Sequence, residues 1–183
     1  GQRGVFSFGI TDTFIKNNYD PFDIYIGVSN GVAVLYWYLI REKENNLDKM
    51  LYAASGDYFS YKNIFTGKDI FRIEQMYKDG EKIFKPNIEK IKNNLNDKKY
   101  ISVVTDAAEA NAEYYSFEDK EWTQKMIASG TLPILVRTPI LINGRRKFDG
   151  GITDPLPAEK AYEMGANKII VIRTYEKAFR RKL

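Results

Sequence analysis

The spacing of apolar residues changes several times along the chain and predicts alternating strands and helices. A short β-favouring run occupies residues 23–26, a glycine-containing turn follows, and an apolar segment of helix length extends to about Asn45. Between residues 47 and 95 the apolar residues recur mostly at intervals of three and four, which is typical of amphipathic surface helices. The first half of the chain is therefore predicted to form a strand, a tight turn and several helices.

Strand patterns dominate the second half of the chain. Residues 100–105 are rich in β-branched side chains, and residues 112–117 are a hairpin partner or neighbour of that strand. Residues 121–129 have a helical pattern, which Gly130 and Pro133 end. The alternation of strands and helices thus continues.

Asn143-Gly144 is the clearest turn signal, because both residues readily take the positive φ angles of a type I′ hairpin turn. A helix is then expected from about Pro157 to Met164, with Gly165 at its end. Residues 169–172 have the continuous apolar character of a fully buried parallel strand. Together these elements predict an α/β fold, a three-layer α/β/α arrangement with a mostly parallel central sheet.

Composition fits one globular domain and restricts its chemistry. The 183 residues are 44% hydrophobic, which is enough apolar material for a single core. The chain contains no cysteine and no histidine, so disulfides, thiolate nucleophiles and histidine bases are excluded within it. Its net charge of +4 permits attraction to nucleic acid or to an anionic lipid surface, although a biased nucleotide composition of the source genome also explains the abundant lysines.

Ser29 lies in a Gly-x-Ser-x-Gly pentapeptide that begins at Gly27 and ends at Gly31. When a strand precedes this motif and a helix follows it, the sharp turn exposes the serine hydroxyl. The predicted elements supply that context, and the sequence therefore indicates a nucleophile at Ser29. The alternative is a glycine-bracketed turn with an incidental serine.

A serine hydroxyl needs a neighbouring base, and in a chain without histidine the remaining bases are a carboxylate or a lysine. Asp149 is the candidate, because Gly150 and Gly151 allow the chain to turn closely against the nucleophile and leave room for a substrate. Desolvation in a cleft strengthens a carboxylate as a base. The alternative role of Asp149 is that of an ordinary Asp-Gly turn residue.

Attack of a serine nucleophile on a carbonyl group, as in ester cleavage, also needs N–H donors. These donors bind the negatively charged oxygen of the transition state. Gly1, Gln2, Arg3 and Gly4 lead into an apolar segment that is predicted to be helical. The amides of these four residues and the positive end of the helix are candidate donors.

Together the three segments resemble the patatin-like phospholipase family, whose pattern is Gly-Gly-Gly-x-Arg-Gly, then Gly-x-Ser-x-Gly, then Asp-Gly-Gly or Asp-Gly-Ala. Residues 1–4, 27–31 and 149–151 match these motifs in the same order, and residues 129–133 and 151–157 are also similar to the family. The family's first strand and leading glycines would precede residue 1. The resemblance thus implies one patatin-like domain over residues 1–183, incomplete at both ends.

The resemblance implies a lipid acyl hydrolase that needs neither a cofactor nor a metal. Ser29 would attack the acyl carbonyl, Asp149 would take the serine proton, and the glycine loop with the Asn30 amide would bind the oxyanion before water releases the fatty acid. The substrate would be a lipid ester such as a phospholipid or a lysophospholipid, met at an anionic membrane surface.

Two other classes of protein fit parts of the pattern. A catalytically silent member of the same fold would bind lipid or another protein without cleaving an ester. A nucleic-acid-binding domain would explain the basic charge, but the chain has no recognition motif and no basic stripe, so no nucleic-acid partner is expected. No apolar run reaches the ~20 residues that span a bilayer, and we expect a cytoplasmic protein that associates with membranes peripherally.

Three local features have more than one interpretation. Arg145, Arg146 and Lys147 are either a cationic patch that steers anionic head groups towards the cleft or a solvated hairpin arm. The aromatic residues 36–38 either line an acyl channel or pack in the core, and the core is the commoner place for such a run. The aspartates are scattered rather than spaced as in a calcium loop, so no metal site is expected.

Overall fold

The computed structural model describes residues 3–42 and 46–175. Eight α-helices and five strands form in this part of the chain, and their order confirms the α/β fold class. In chain order they are α1 (Gly4–Lys16), β1 (Ile24–Val28), α2 (Asn30–Ile40), α3 (Asn46–Ala54), α4 (Asn63–Thr66), α5 (Ile73–Phe84), α6 (Ile88–Leu95), β2 (Lys99–Asp106), β3 (Ala112–Ser116), α7 (Trp122–Ser129), β4 (Ile140–Ile142), β5 (Arg145–Asp149) and α8 (Ala158–Glu163). Single turns of 3₁₀ helix occur at Gly56–Tyr58 and Gly150–Ile152.

The helix that follows Ser29 is shorter than predicted. It ends at Ile40 instead of continuing to about Asn45, because Arg41 takes a left-handed backbone conformation with φ 56°. A residue in that conformation cannot continue a right-handed helix and closes its last turn.

Strand β2 is the centre of the sheet. β1 pairs with it in parallel, and β3 pairs antiparallel with the opposite edge of β2. β5 pairs antiparallel with residues 104–106 on the edge that β1 also uses, and β4 pairs with β5. The described strands therefore form a mixed sheet whose parallel pair is β1 with β2.

The register along this shared edge brings two distant parts of the chain together. Val28, the last residue of β1, lies opposite Val103, and Asp149, the last residue of β5, lies opposite Val104. Because β1 and β5 run towards each other along one edge, their ends meet there. Ser29 directly follows β1 and therefore lies beside Asp149.

Helices cover both faces of the sheet. The Lys125 Nζ of α7 lies 5.3 Å from the ring centroid of Tyr115, whereas the Lys160 Nζ of α8 lies 5.0 Å from the ring centroid of Tyr114. Neighbouring side chains of a strand point to opposite faces, so α7 and α8 lie on opposite sides of the sheet. The three-layer arrangement predicted from the sequence is confirmed.

The core is centred on α2, which is apolar around most of its circumference and is therefore buried between other elements. It contacts β1, α1 and α6. The fully buried side chains of this core include Val32 and Leu39 from α2 and Ile91 and Tyr100 from neighbouring elements. This packing fixes α2 firmly at the end of β1, where the candidate site lies.

The predicted β4–β5 hairpin forms, with Asn143 and Gly144 at φ 52° and 74° as a type I′ turn requires. The predicted C-terminal helix also forms as α8, directly after Pro157, and Gly165 follows it at φ 97°. Local turn chemistry therefore decided both of these elements.

The basic run in β5 divides, because Arg145 and Arg146 are exposed as in a solvated hairpin arm, whereas Lys147 fits neither interpretation. Its side chain is only 2% exposed, and its Nζ lies 2.5 Å from Asp106 Oδ2 and 2.7 Å from Glu113 Oε2. Arg145 also pairs with Asp106, at 2.9 Å. The hydrogen bond from Lys147 and those from the backbone of residues 108 and 109 hold the pKa of the Asp106 carboxyl well below its usual range. Lys147 is therefore neither solvated nor placed to attract a head group.

The strand predicted over residues 169–172 is wrong for the structure described here. The segment is irregular, and Ile169, Ile170 and Val171 are 41%, 55% and 46% exposed. A parallel strand is stable only beside a hydrogen-bonded neighbour, and none of the strands within residues 3–42 and 46–175 pairs with this segment.

Candidate active site

Ser29 occupies a tight turn between β1 and α2. Its backbone has φ 55° and ψ −130°, a conformation that costs about 1–3 kcal/mol and persists only where the surroundings impose it. Gly27 makes the turn possible, because a Cβ at that position would lie 2.5 Å from the Cα of Val32 in α2. The predicted strand, turn and helix around Ser29 are therefore present.

Asp149 lies within hydrogen-bonding distance of Ser29, although the two are 120 positions apart. The Ser29 hydroxyl donates to Asp149 Oδ2 at 2.6 Å. The other carboxylate oxygen, Oδ1, accepts from the Gly151 N–H at 2.8 Å. Asp149 is only 4% exposed, so the contact is shielded from solvent. A short bond of this kind between a hydroxyl and a carboxylate is a strong, charge-assisted one.

The backbone of Asp149 is fixed on both sides. Its N–H donates to the Thr131 carbonyl at 2.8 Å, and its own carbonyl accepts from the Thr105 hydroxyl at 2.8 Å. Gly150 then passes directly over β2, where a Cβ would lie 2.2 Å from the Val103 carbonyl oxygen. The first glycine of Asp-Gly-Gly is thus required by close approach to the sheet.

Ser129, at the end of α7, holds the turn that carries Ser29. Its Oγ accepts from the Ser29 N–H at 2.9 Å and donates to the Val103 carbonyl at 2.6 Å. Ser129 is fully buried. One hydroxyl therefore ties the backbone of the serine turn to the central strand.

The first turn of α1 packs against the first residue of α2. A Cβ on Gly4 would lie 1.8 Å from Asn30 Nδ2, so these two residues are in close contact. The N-terminal ends of α1 and α2, which meet here, each carry a partial positive charge. The Arg3 side chain is used elsewhere, because its guanidinium lies 4.0 Å from the ring centroid of Tyr175. Gly1 and Gln2, the other two predicted oxyanion residues, lie outside the described residues.

A small apolar pocket opens beside this site, with a volume of about 70 Å³. Its lining comes from α1, α2, α3 and α5 and includes Phe8, Trp37, Met50 and Phe84. Asn30 and Tyr77 also line it and connect it to the serine turn and to Asp149. Burial, with the nearby charge of Asp149, raises the pKa of Tyr77 far above its usual value, so this phenol stays neutral.

The aromatic residues 36–38 divide between the two roles considered for them. Tyr36 and Trp37 line the pocket. Tyr38 is buried in the core, and its hydroxyl donates to the Tyr19 carbonyl at 2.8 Å. Tyr36 is also buried in the core, at 5% exposure, and the partly buried Trp37 packs against that core. The prediction of core packing is therefore confirmed for Tyr36 and Tyr38, and Tyr36 and Trp37 form the wall that the core shares with the pocket.

Comparison with known families identifies the family of the chain. The family model described as Patatin-like phospholipase matches residues 1–162. The chain belongs to the patatin-like phospholipase family. That match includes all three motifs, at residues 1–4, 27–31 and 149–151. The patatin-like phospholipases are a family of lipid acyl hydrolases.

This patatin-like chain is also similar to a curated protein, the uncharacterized protein YjjU of Escherichia coli strain K12. The two are 24% identical over 176 residues, which cover 95% of this chain and 49% of YjjU. The chain therefore spans about half the length of that relative. None of the helices in the described part of the chain is long and apolar enough to cross a membrane.

Sequence reasoning missed the part played by Ser129. The segment 129–133 is similar to the patatin-like pattern, but no rule of spacing assigned a partner to the serine hydroxyl. Its two partners, Ser29 and Val103, lie 100 and 26 positions away. Only the tertiary structure shows the connection.

Replacing Ser129 with Ala is expected to lower kcat by up to about 10²-fold, because a loosened turn misplaces the Ser29 hydroxyl. The change also leaves the Ser29 N–H and the Val103 carbonyl without this partner, which should reduce the free energy of unfolding by about 1–3 kcal/mol. Steady-state kinetics on a soluble ester and urea unfolding measure the two effects.

Ser102→Ala is the matched control for this prediction. Ser102 is equally buried, but its hydroxyl donates to the Lys125 carbonyl at 3.3 Å instead of holding the serine turn. The Ser102→Ala variant should therefore have a lower free energy of unfolding than the unaltered chain but the same kcat. Equal kcat values for the two variants would contradict a positioning role for Ser129.

Proposed function

We propose that this patatin-like protein hydrolyses carboxylic esters of lipids by means of a Ser29–Asp149 dyad and an acyl-enzyme. The observation that carries the proposal is the 2.6 Å hydrogen bond from Ser29 Oγ to Asp149 Oδ2. It gives the hydroxyl a base within reach, which is the first geometric requirement for a serine nucleophile.

In the first half of the reaction a bond forms between Ser29 Oγ and the acyl carbonyl carbon as the hydroxyl proton passes to Asp149 Oδ2. The tetrahedral intermediate then collapses, the bond to the alcohol oxygen breaks, and the alcohol takes the proton from Asp149. In the second half a water molecule attacks the acyl-enzyme and gives a proton to Asp149. That proton returns to Ser29 Oγ as the fatty acid leaves.

The burial of Asp149 supports its role as the base. At 4% exposure the carboxylate is largely removed from water, which would otherwise compete with the serine hydroxyl for its oxygens. The Gly151 N–H fixes Oδ1 and so directs Oδ2 towards Ser29. A base held in one orientation loses little entropy as the reaction proceeds.

The contact between α1 and α2 supports an oxyanion site formed by both helix ends. The first N–H groups of a helix have no acceptor within that helix, and they are aligned with its positive end. Asn30 is the first residue of α2 and directly follows Ser29, and Gly4 packs against it. We assign the developing negative charge to the Asn30 amide, together with amides of the first motif, Gly1, Gln2, Arg3 and Gly4, of which Arg3 and Gly4 lie at the start of α1.

The apolar pocket supports a lipid acyl chain as the substrate group. Trp37, Met50 and Phe84 offer an apolar wall, and the pocket reaches Asn30, the residue next to the nucleophile. Each methylene group of an acyl chain that is buried there would favour binding by roughly 0.8 kcal/mol.

Covalent labelling tests the proposed nucleophile directly. A fluorophosphonate probe should react with the full chain and should not label a Ser29→Ala variant, with mass spectrometry placing the adduct on Ser29. The control is Ser7→Ala, which removes a serine hydroxyl in α1 instead of the one at Ser29. This variant should still be labelled. Failure of the folded, unaltered chain to react would instead favour a catalytically silent lipid-binding protein.

A further inference from the structure

Three apolar side chains project from the segment around α4, residues 61–68, which we call the 61–68 loop. Tyr61, Ile64 and Phe65 are 73%, 47% and 90% exposed. Single exposed apolar residues are common, but three within five positions, two of them aromatic, form a patch that has a binding role in many proteins.

The base of the 61–68 loop is held firmly, so the apolar side chains stay in solvent. Asn63 Nδ2 donates to the Asp69 carbonyl at 2.6 Å, and Arg137 Nη2 donates to the Ile64 carbonyl at 3.2 Å. Asp69 Oδ1 accepts from the N–H groups of Arg137 and Thr138 at 2.6 and 2.8 Å. These bonds join the loop to residues 137–138.

Three cationic residues lie in the 61–68 loop or bind it directly. Lys62, Lys68 and Arg137 are all exposed. The nearest acidic side chain in sequence, Asp69, points into the backbone of residues 137–138, and those bonds hold the pKa of its carboxyl below the usual value. The exposed side chains of the loop and of Arg137 therefore combine apolar and positively charged groups.

A short connection links the 61–68 loop to the candidate active site. The Leu135 carbonyl accepts the N–H groups of Ile70 and Phe71 at 2.9 Å, and the Thr131 carbonyl accepts the Asp149 N–H at 2.8 Å. Residues 131 and 135 are four apart, so at most about 14 Å separates these two attachment points. Between them Ile134 is 78% exposed and adds a further apolar side chain to this part of the surface.

We propose that the 61–68 loop, with Ile134, docks the protein on an anionic phospholipid surface. Apolar and aromatic side chains enter the boundary between head groups and acyl chains, and the neighbouring cations bind lipid phosphates. The inference deepens the proposed function and rests on it, because it places a lipid surface next to the Ser29–Asp149 pair. The exposed Lys62, Lys68 and Arg137 favour an anionic membrane over an apolar protein partner.

Sedimentation with sucrose-loaded vesicles tests the proposal without any need for catalysis. The full chain should bind vesicles that contain phosphatidylserine and should bind neutral phosphatidylcholine vesicles much less. Phe65→Ser should weaken binding by about 10-fold or more, since a buried aromatic side chain contributes that much. Lys62→Glu combined with Lys68→Glu should weaken it by at least about 5-fold per site.

Matched controls come from other surfaces of the chain. Tyr162→Ser removes an aromatic residue of α8 that is 73% exposed, and Lys120→Glu combined with Lys168→Glu makes the same charge change away from the loop. Neither should reduce binding as much as the loop variants. Because Phe65 is 90% exposed, its replacement should leave the melting temperature unchanged.

Each contrary result overturns the proposal. Absence of vesicle binding, or equal losses for loop and control variants, would show that the loop does not dock on lipid. A dimer in sedimentation velocity that Phe65→Ser converts to a monomer would assign the surface to a second copy of the chain. Ser29→Ala should bind vesicles as the unaltered chain does, so a failed hydrolase and a failed docking surface give different results.

Discussion

Asp149→Asn should lower kcat for ester hydrolysis by about 10²- to 10⁴-fold, the usual contribution of a general base, and should change KM little. An amide keeps the size and shape of the carboxyl group but has little basicity, so Ser29 Oγ would lose the acceptor of its proton. The Gly151 N–H can still donate to the amide oxygen, and the fold should persist. Steady-state kinetics on a soluble ester separates kcat from KM.

The control for this variant is Asp154→Asn, five residues further along the same segment. Asp154 accepts from the Tyr114 hydroxyl at 2.7 Å and does not bind Ser29 in the structure. It should retain turnover close to that of the unaltered chain. If Asp149→Asn also kept near-native turnover, Asp149 would have no place in the mechanism.

The location of the candidate site was predictable because its main determinants are local. The sequence itself predicts tight backbone turns at two places, where Gly27 and Gly31 flank Ser29 and where two glycines follow Asp149. The absence of histidine left a carboxylate or a lysine as the base, and the two glycines after Asp149 favoured that carboxylate. Both the 2.6 Å Ser29–Asp149 contact and the turn at Gly27 agree with this reasoning.

Features that depend on contacts between distant strands were not predictable in the same way. Lys147 stands in a run of three basic residues, which is typical of a solvated strand, yet Asp106 and Glu113 from β2 and β3 bury it. The apolar residues 169–172 have a strand-like composition, but composition does not supply the paired neighbour that a parallel strand needs. In both cases the deciding partner lies elsewhere in the chain.

The turn at Ser29 also makes a prediction about stability, because its two glycines have opposite surroundings. Gly27→Ala should lower the free energy of unfolding by about 3 kcal/mol, near the upper end of the usual cost of overpacking. The new Cβ would lie 2.5 Å from the Cα and 2.6 Å from the N of Val32, and backbone atoms at the buried start of α2 cannot move aside as a flexible side chain would.

Gly31→Ala is the matched substitution, four residues later in the same motif. A Cβ on Gly31 has no atom within 4 Å, and Gly31 lies within α2. Alanine should therefore raise the free energy of unfolding by roughly 0.5–1 kcal/mol, the difference in helix preference between the two residues. Urea unfolding measures the free energy of unfolding of both variants. Changes of the same sign in that free energy would contradict the packing of α2 against β1. Opposite signs of the two stability changes would show that close packing requires a glycine at position 27 but not at position 31.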